Sequence, residues 1–171
     1  QNDFDKKFDY ESVKKYGDYW YDDFCSLKNL IRQLNSLKNV FKLVEKREKY
    51  TSYIFMRPDL KIFTKLNIND IFQTKTKNVI LTPNYAKFRG LNDKFVIGDY
   101  NSIKIYANRF DYIYDYMKLK GKLHSESLLK FVIKKFKIRH ISTKIYFARV
   151  RANNIIKEKD LKILKNLNLL I

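Results

Sequence analysis

Gly90-Leu91-Asn92-Asp93-Lys94-Phe95-Val96-Ile97-Gly98-Asp99 is the stretch on which the reading of this chain turns. A short apolar run, Phe95 to Ile97, is bracketed by glycines and by acidic residues. Gly90 permits close backbone approach, Asn92 and Asp93 offer short polar groups just before a strand, and Asp99 stands where it can cap the helix that follows. Two further runs have the same character. Tyr53-Ile54-Phe55-Met56 leads into Arg57-Pro58-Asp59-Leu60, where Pro58 stops easy continuation as a central strand, and Val79-Ile80-Leu81 leads into Thr82-Pro83. Buried strands of this kind, with helical material between them, predict an α/β layered architecture: a single domain with a mixed β-sheet flanked by helices. In such a domain the carboxyl ends of strands and the amino ends of helices face the crevice where ligands sit, and here both carry acidic groups.

Around these strands the apolar spacing predicts the helices. Ser26 reads as a cap, because Leu27, Leu30, Ile31, Leu34, Leu37, Phe41 and Val44 recur at helical spacing, giving an amphipathic helix to about Glu48. A helix from Asp99 buries Ile103, Tyr106, Phe110, Ile113 and Met117 and stops near Gly121. Another starts at Ser125, with Leu128, Leu129, Val132, Ile133 and Phe136 inward. A longer strand is expected from Ile141 to Val150, then a turn at Arg151–Asn154 and a last helix over Glu158 to Leu167. Residues 1–25, aromatic and acidic, are expected to pack irregularly on the domain formed by residues 26–171.

Composition constrains the partners. At 171 residues the chain buries a real core without disulfides, and Cys25 is its one cysteine. With 36 Lys and Arg against 18 Asp and Glu the net charge is +18, which favours anionic partners such as nucleic acid or phosphorylated ligands. These lysines spread over nearly every segment instead of clustering. Together with abundant Asn, Ile, Tyr and Phe, that is the residue set an AT-rich genome writes, so a solvated surface explains much of the charge. Neither a membrane-spanning run nor a signal-peptide pattern is seen, and a cytoplasmic or virion-associated location is the expectation. Gln1 in place of Met suggests a processed product or a piece of something longer.

Several side chains could carry chemistry, each with a plainer reading beside it. Asp59, at a strand tip, could hold a divalent ion bridging two phosphates, or simply form the turn; Arg57 could contact an anion or pair with Asp59. Asn92 and Asp93 suit a sugar hydroxyl or an ordinary loop. Glu126, with His124 beside it at a helix start, could act as a general base, or lie on the surface favoured by the helix dipole. Arg149 and Arg151, two apart on a strand, could grip a diphosphate or sit at a sheet edge.

Taken in order, Arg57-Pro58-Asp59-Leu60, the Gly90–Asp99 block, Ser102-Ile103-Lys104-Ile105-Tyr106, Leu123-His124-Ser125-Glu126 and Arg149-Val150-Arg151-Ala152-Asn153 resemble a glycosyltransferase-like family of large DNA viruses, algae and bacterial surface-polysaccharide clusters. The likeness spans roughly residues 50 to 154. It implies the carboxyl-terminal part of a GT-A-like domain, a partial Rossmann-type layer that moves a sugar from a nucleotide sugar to a glycan or protein hydroxyl, often with Mn or Mg. On that likeness Asp59 meets metal and diphosphate, Asn92 and Asp93 line the sugar and acceptor pocket, Glu126 serves as base, and Arg149 and Arg151 form the closing basic segment, with Arg57, Lys94 and His124 counted among the substrate-binding residues. Family members typically carry Arg where this chain has Lys94, and only a helix and an aromatic segment precede Asp59. A truncated or degenerate copy is therefore one form of the expectation. The alternative is a non-enzymatic basic structural protein, virion-associated or nucleic-acid-binding, that uses lysines and exposed tyrosines.

Overall fold

All three apolar runs become strands of one sheet, and the pattern of coverage explains their composition. The computed structural model describes residues 2–45 and 50–169. In chain order its elements are α1 (Asn2–Lys7), α2 (Tyr10–Lys14), α3 (Cys25–Glu45), β1 (Tyr53–Met56), β2 (Leu60–Ile62), α4 (Ile68–Gln73), β3 (Val79–Pro83), β4 (Phe95–Gly98), α5 (Tyr100–Ala107), a 3-10 turn (Asn108–Tyr112), α6 (Ile113–Lys120), α7 (Ser125–Lys135), β5 (Arg139–Thr143), β6 (Phe147–Arg149) and α8 (Glu158–Asn166). The main sheet has the order β1-β4-β3-β5, and a second, two-stranded sheet pairs β2 with β6. β4 runs antiparallel to both β1 and β3, whereas β3 and β5 are parallel. The chain is thus one mixed α/β domain with a mixed sheet and flanking helices.

β3 and β4 are buried along their whole length because both sheet faces are covered. On one face Ile80 and Val96 join Tyr53 and Phe55 under Phe41, Ile103, Tyr106, Leu129 and Ile133 of the helices. On the other, Val79, Leu81, Phe95 and Ile97 pack with Ile145 and Phe147. A third cluster lies among the helices: Leu27, Ile31 and Leu34 of α3 meet Ile113, Met117, Leu128 and Val132.

Several expectations are corrected by this packing. β1 is an edge strand, with Ile54 and Met56 exposed, because only one of its faces meets helices. Residues 1–25 are irregular only in part: residues 15–24 form turns and bends, whereas α1 and α2 are helical and put Val13 in the helical cluster with Phe4, Phe8 and Tyr10 against it. Ser26 lies inside α3, and the Asp22 carboxylate takes its amide at 3.1 Å. α3 is described to Glu45; its expected last turn lies outside the described residues. The helix expected from Asp99 to Gly121 is broken by the 3-10 turn, then ended by Gly121 at φ +79°. Asp99 does precede α5, but its carboxylate holds the Val79 amide (3.2 Å) and the Ser102 hydroxyl and makes no cap bond to the helix backbone. The strand expected over Ile141–Val150 is cut in two, because β5 belongs to the main sheet and β6 to the small one.

Sheet register places the ligand-facing edge. Met56 pairs with Phe95 in the β1–β4 ladder, so Arg57 and Lys94 leave the sheet together, joined by Arg57 N–H donating to Lys94 O at 3.0 Å. That edge is also the carboxyl end of β3 and β5. Among the described residues no helix is long and apolar enough to cross a membrane.

Candidate functional site

At this edge lies a cavity of about 570 Å³, within the range typical of small-molecule sites. Its lining includes Asp93 and Lys94, at the end of the Gly90–Lys94 loop, and Ser125 and Glu126 at the start of α7. Gly90 is obligatory there: a Cβ would fall 1.9 Å from the Glu126 carbonyl oxygen. The same approach lets the Leu91 amide donate to Glu126 O at 3.0 Å, which locks loop against helix. Asn92 supports the turn, donating to Tyr85 O and accepting from the Lys94 amide, each at 3.0 Å. It is fully buried and does not line the cavity.

Asp93, Lys94 and Glu126 form the centre. The Lys94 ammonium donates to Asp93 Oδ1 at 3.0 Å and to Glu126 Oε1 at 2.8 Å, all three side chains being less than a tenth exposed. Ser125 Oγ donates to Asp93 Oδ2, and the Arg109 guanidinium stands 3.7 Å from that same oxygen. Burial pushes the Asp93 carboxyl up, but Lys94 and Arg109 outweigh it and hold it below the ordinary carboxylate range. Burial likewise opposes the Lys94 charge, and the two carboxylates raise its pKa despite that. His124 Nε2 lies 3.2 Å from Glu126 Oε2, and its Nδ1 lies 3.0 Å from Ser127 Oγ. Burial lowers the His124 pKa below its usual value although Glu126 pulls the other way, so the ring is neutral at pH 7. The two ring nitrogens thus face different partners, Nε2 the Glu126 carboxylate and Nδ1 the Ser127 hydroxyl.

The walls are cationic and aromatic. Arg57 and Arg149 reach the cavity from the ends of β1 and β6, joined by Lys157 and Lys159 at the start of α8. Arg149 is clasped by Asp160, with Nε–Oδ2 2.8 Å, Nη2–Oδ1 2.6 Å and the backbone amide to Oδ2 at 2.9 Å. Burial and the charges of Arg149 and Arg151 lower the Lys157 pKa, the mark of a cation held among cations. Tyr19 and Trp20 form the aromatic side, Tyr19 stacking on His124 with ring centres 4.2 Å apart. Their loop is organised by Asp18, whose carboxylate accepts from the amides of Trp20, Asp22 and Phe24 at 2.8 to 2.9 Å.

Of the residues singled out in the sequence, Arg57, Asp93, Lys94, His124, Glu126 and Arg149 come together here. Asp59, Asn92 and Arg151 do not. Both Asp59 oxygens are taken by Arg57, at 2.8 and 2.7 Å, and the side chain is off the cavity wall. Arg151 is exposed in the turn beyond β6 and does not share a strand face with Arg149. The donor set does not fit Mn or Mg: Asp59 is spent on Arg57, the cavity carboxylates are bridged by Lys94, and among the described residues no three His, Cys, Asp or Glu side chains gather as ligands. Sequence reasoning missed Tyr19, Trp20, Arg109, Ser125, Lys157, Lys159 and Asp160. Arg109 had a legible signal, a charged residue at a helical inward position three after Tyr106; the others are brought in by long-range packing.

These features define a mixed α/β domain with a basic, aromatic-walled cavity built around a Lys-bridged carboxylate pair. No family model, curated protein or solved structure matches the chain.

Proposed function

We propose that the cavity binds a nucleotide sugar and that the chain is a glycosyl-transfer domain, corresponding to the carboxyl-terminal part of a GT-A-like fold. The observation that carries this is the meeting of Asp93, Lys94 and Glu126 beneath a wall of Arg57, Arg149, Lys157 and Lys159. The parallel β3–β5 pair, with its carboxyl end at the site edge, supports the GT-A-like layer. A diphosphate finds its counter-charge chiefly in Lys157 and Lys159, beside Arg57 and Arg149, which Asp59 and Asp160 hold in place, so side chains take the part often given to a metal. Tyr19 and Trp20 offer stacking surface to a base or sugar ring.

In the reaction, an acceptor oxygen forms a bond to the anomeric carbon as the bond from that carbon to the diphosphate oxygen breaks, and the electron pair leaves with the diphosphate. The acceptor's proton goes to Glu126, whose Oε2 lies 3.2 Å from a neutral imidazole whereas its Oε1 accepts from Lys94. Asp93, held ionised by Lys94, Ser125 and Arg109, keeps lone pairs to accept from a sugar hydroxyl.

Titrating nucleoside diphosphates while following Trp20, the only tryptophan, tests the reading directly. Quenching with a Kd of roughly 1 μM to 1 mM is expected for at least one of UDP, GDP, CDP, ADP and TDP, unchanged by EDTA. Glu126→Gln should leave that Kd unaltered and slow diphosphate release from the matching nucleotide sugar by about 10²-fold or more. Absence of binding across all five diphosphates, with and without manganese, would end the proposal.

A further inference from the structure

Beside the first cavity is a second hollow, of about 590 Å³, whose charged lining is entirely positive: Arg89, Lys120, Lys122, Lys130 and Lys134, with no Asp or Glu. The two hollows share Tyr19 and His124, the ring that touches Glu126. Lys130 and Lys134 are one turn apart on α7, a like-charge spacing that costs a helix a few tenths of a kcal/mol in isolation. Among the described residues, none of the five has a carboxylate within ion-pair distance. Lys122 is instead pinned by the Asp18 carbonyl at 2.9 Å and the Tyr21 hydroxyl at 3.2 Å. Tyr116 and Phe131, edge to face at 5.6 Å, add apolar wall of the kind that packs on sugar faces.

Resting on the sugar-transfer reading, we propose that this hollow is the acceptor subsite and takes an anionic oligosaccharide, one bearing carboxylate or phosphate groups. Uncompensated lysines supply the attraction, and continuity with His124 and Glu126 brings an acceptor hydroxyl to the base. A nucleic acid backbone fits less well, because the hollow adjoins Glu126 through His124, which places a sugar hydroxyl and not a phosphate chain at the base.

Isothermal titration of the full chain with hexagalacturonate, a phosphorylated mannopentaose, uncharged maltohexaose and hexathymidylate tests the assignment. At least one of the two anionic oligosaccharides should bind at least 10-fold more tightly than both maltohexaose and hexathymidylate. Lys130→Glu/Lys134→Glu should weaken that binding at least 10-fold, whereas Lys75→Glu/Lys77→Glu, an equal charge change at exposed residues lining neither cavity, should weaken it less than 3-fold. Thermal melts of both variants confirm that they fold. Equal effects of the two double variants, comparable binding of maltohexaose, or tighter binding of hexathymidylate overturns the subsite. So does failure of both anionic oligosaccharides; if UDP or another diphosphate still binds, only this inference falls and the donor site stands.

Discussion

Lys94 holds two buried carboxylates together, and its removal should be felt at once in stability. Lys94→Met leaves Asp93 and Glu126 facing each other in a site less than a tenth exposed, with no cation between them. Loss of one partner from a buried ionic group costs about 3–5 kcal/mol, so urea unfolding at pH 7 should show a loss of that order. Gly90 is the second decisive residue. Gly90→Ala drives a Cβ into the Glu126 carbonyl, 1.9 Å away, and neither backbone can yield without parting the loop from α7. A loss of about 1–3 kcal/mol in the same measurement is expected, together with weaker nucleotide binding, because the loop that carries Asp93 and Lys94 is pushed off α7. Gly90, Asp93, Lys94 and Glu126 were visible as a motif; that Lys94 bridges the two acids was not, since residues 94 and 126 meet only when loop and helix pack.

At the scale of elements, α8 matters because it delivers Lys157 and Lys159 and is tied to β6 by one carboxylate. Asp160 accepts from the Arg149 side chain and backbone amide at once. Asp160→Asn keeps the size but halves the acceptor capacity and removes the charge, and hydrogen bonds to charged groups contribute about 1.5–3 kcal/mol. Hydrogen exchange should then show protection lost across Phe147–Asn166 while β3 and β4 keep theirs. The apolar periodicities of α3, α7 and α8 could be read directly, because a helix's period is a local property. The break between α5 and α6, the small β2–β6 sheet and the edge position of β1 were hidden. Each depends on which distant surface covers a segment, and no local pattern records that.

For the whole molecule, burial of both histidines sets a pH response. His124 and His140 are each held below the ordinary value, chiefly by burial. The unfolded chain, with histidine pKa values near 6.5, therefore binds more protons than the folded one as pH falls through that value. Their contribution to stability is full above pH 6.5 and is lost progressively below it. Melting temperature should thus fall from pH 7 to pH 5, and His140→Gln, which retains a polar partner for Thr82, should flatten part of the slope. Asp93, depressed in the folded state, adds its loss only at lower pH, as pH drops through its unfolded value near 3.8 towards its folded one.

Sequence alone determined β1, β3 and β4, the helices α3, α7 and α8, and several of the acidic and basic residues that gather at one sheet edge, because hydrophobic period, glycine placement and turn chemistry act over a few neighbouring residues. Tertiary structure decided which of those charges meet a ligand: it spent Asp59 on Arg57, turned Arg151 outward, and brought Tyr19, Trp20, Lys157 and Lys159 to the wall. The reason is that an ion pair or a cavity wall is made by residues far apart in the chain, and their distance exists only once the core has packed.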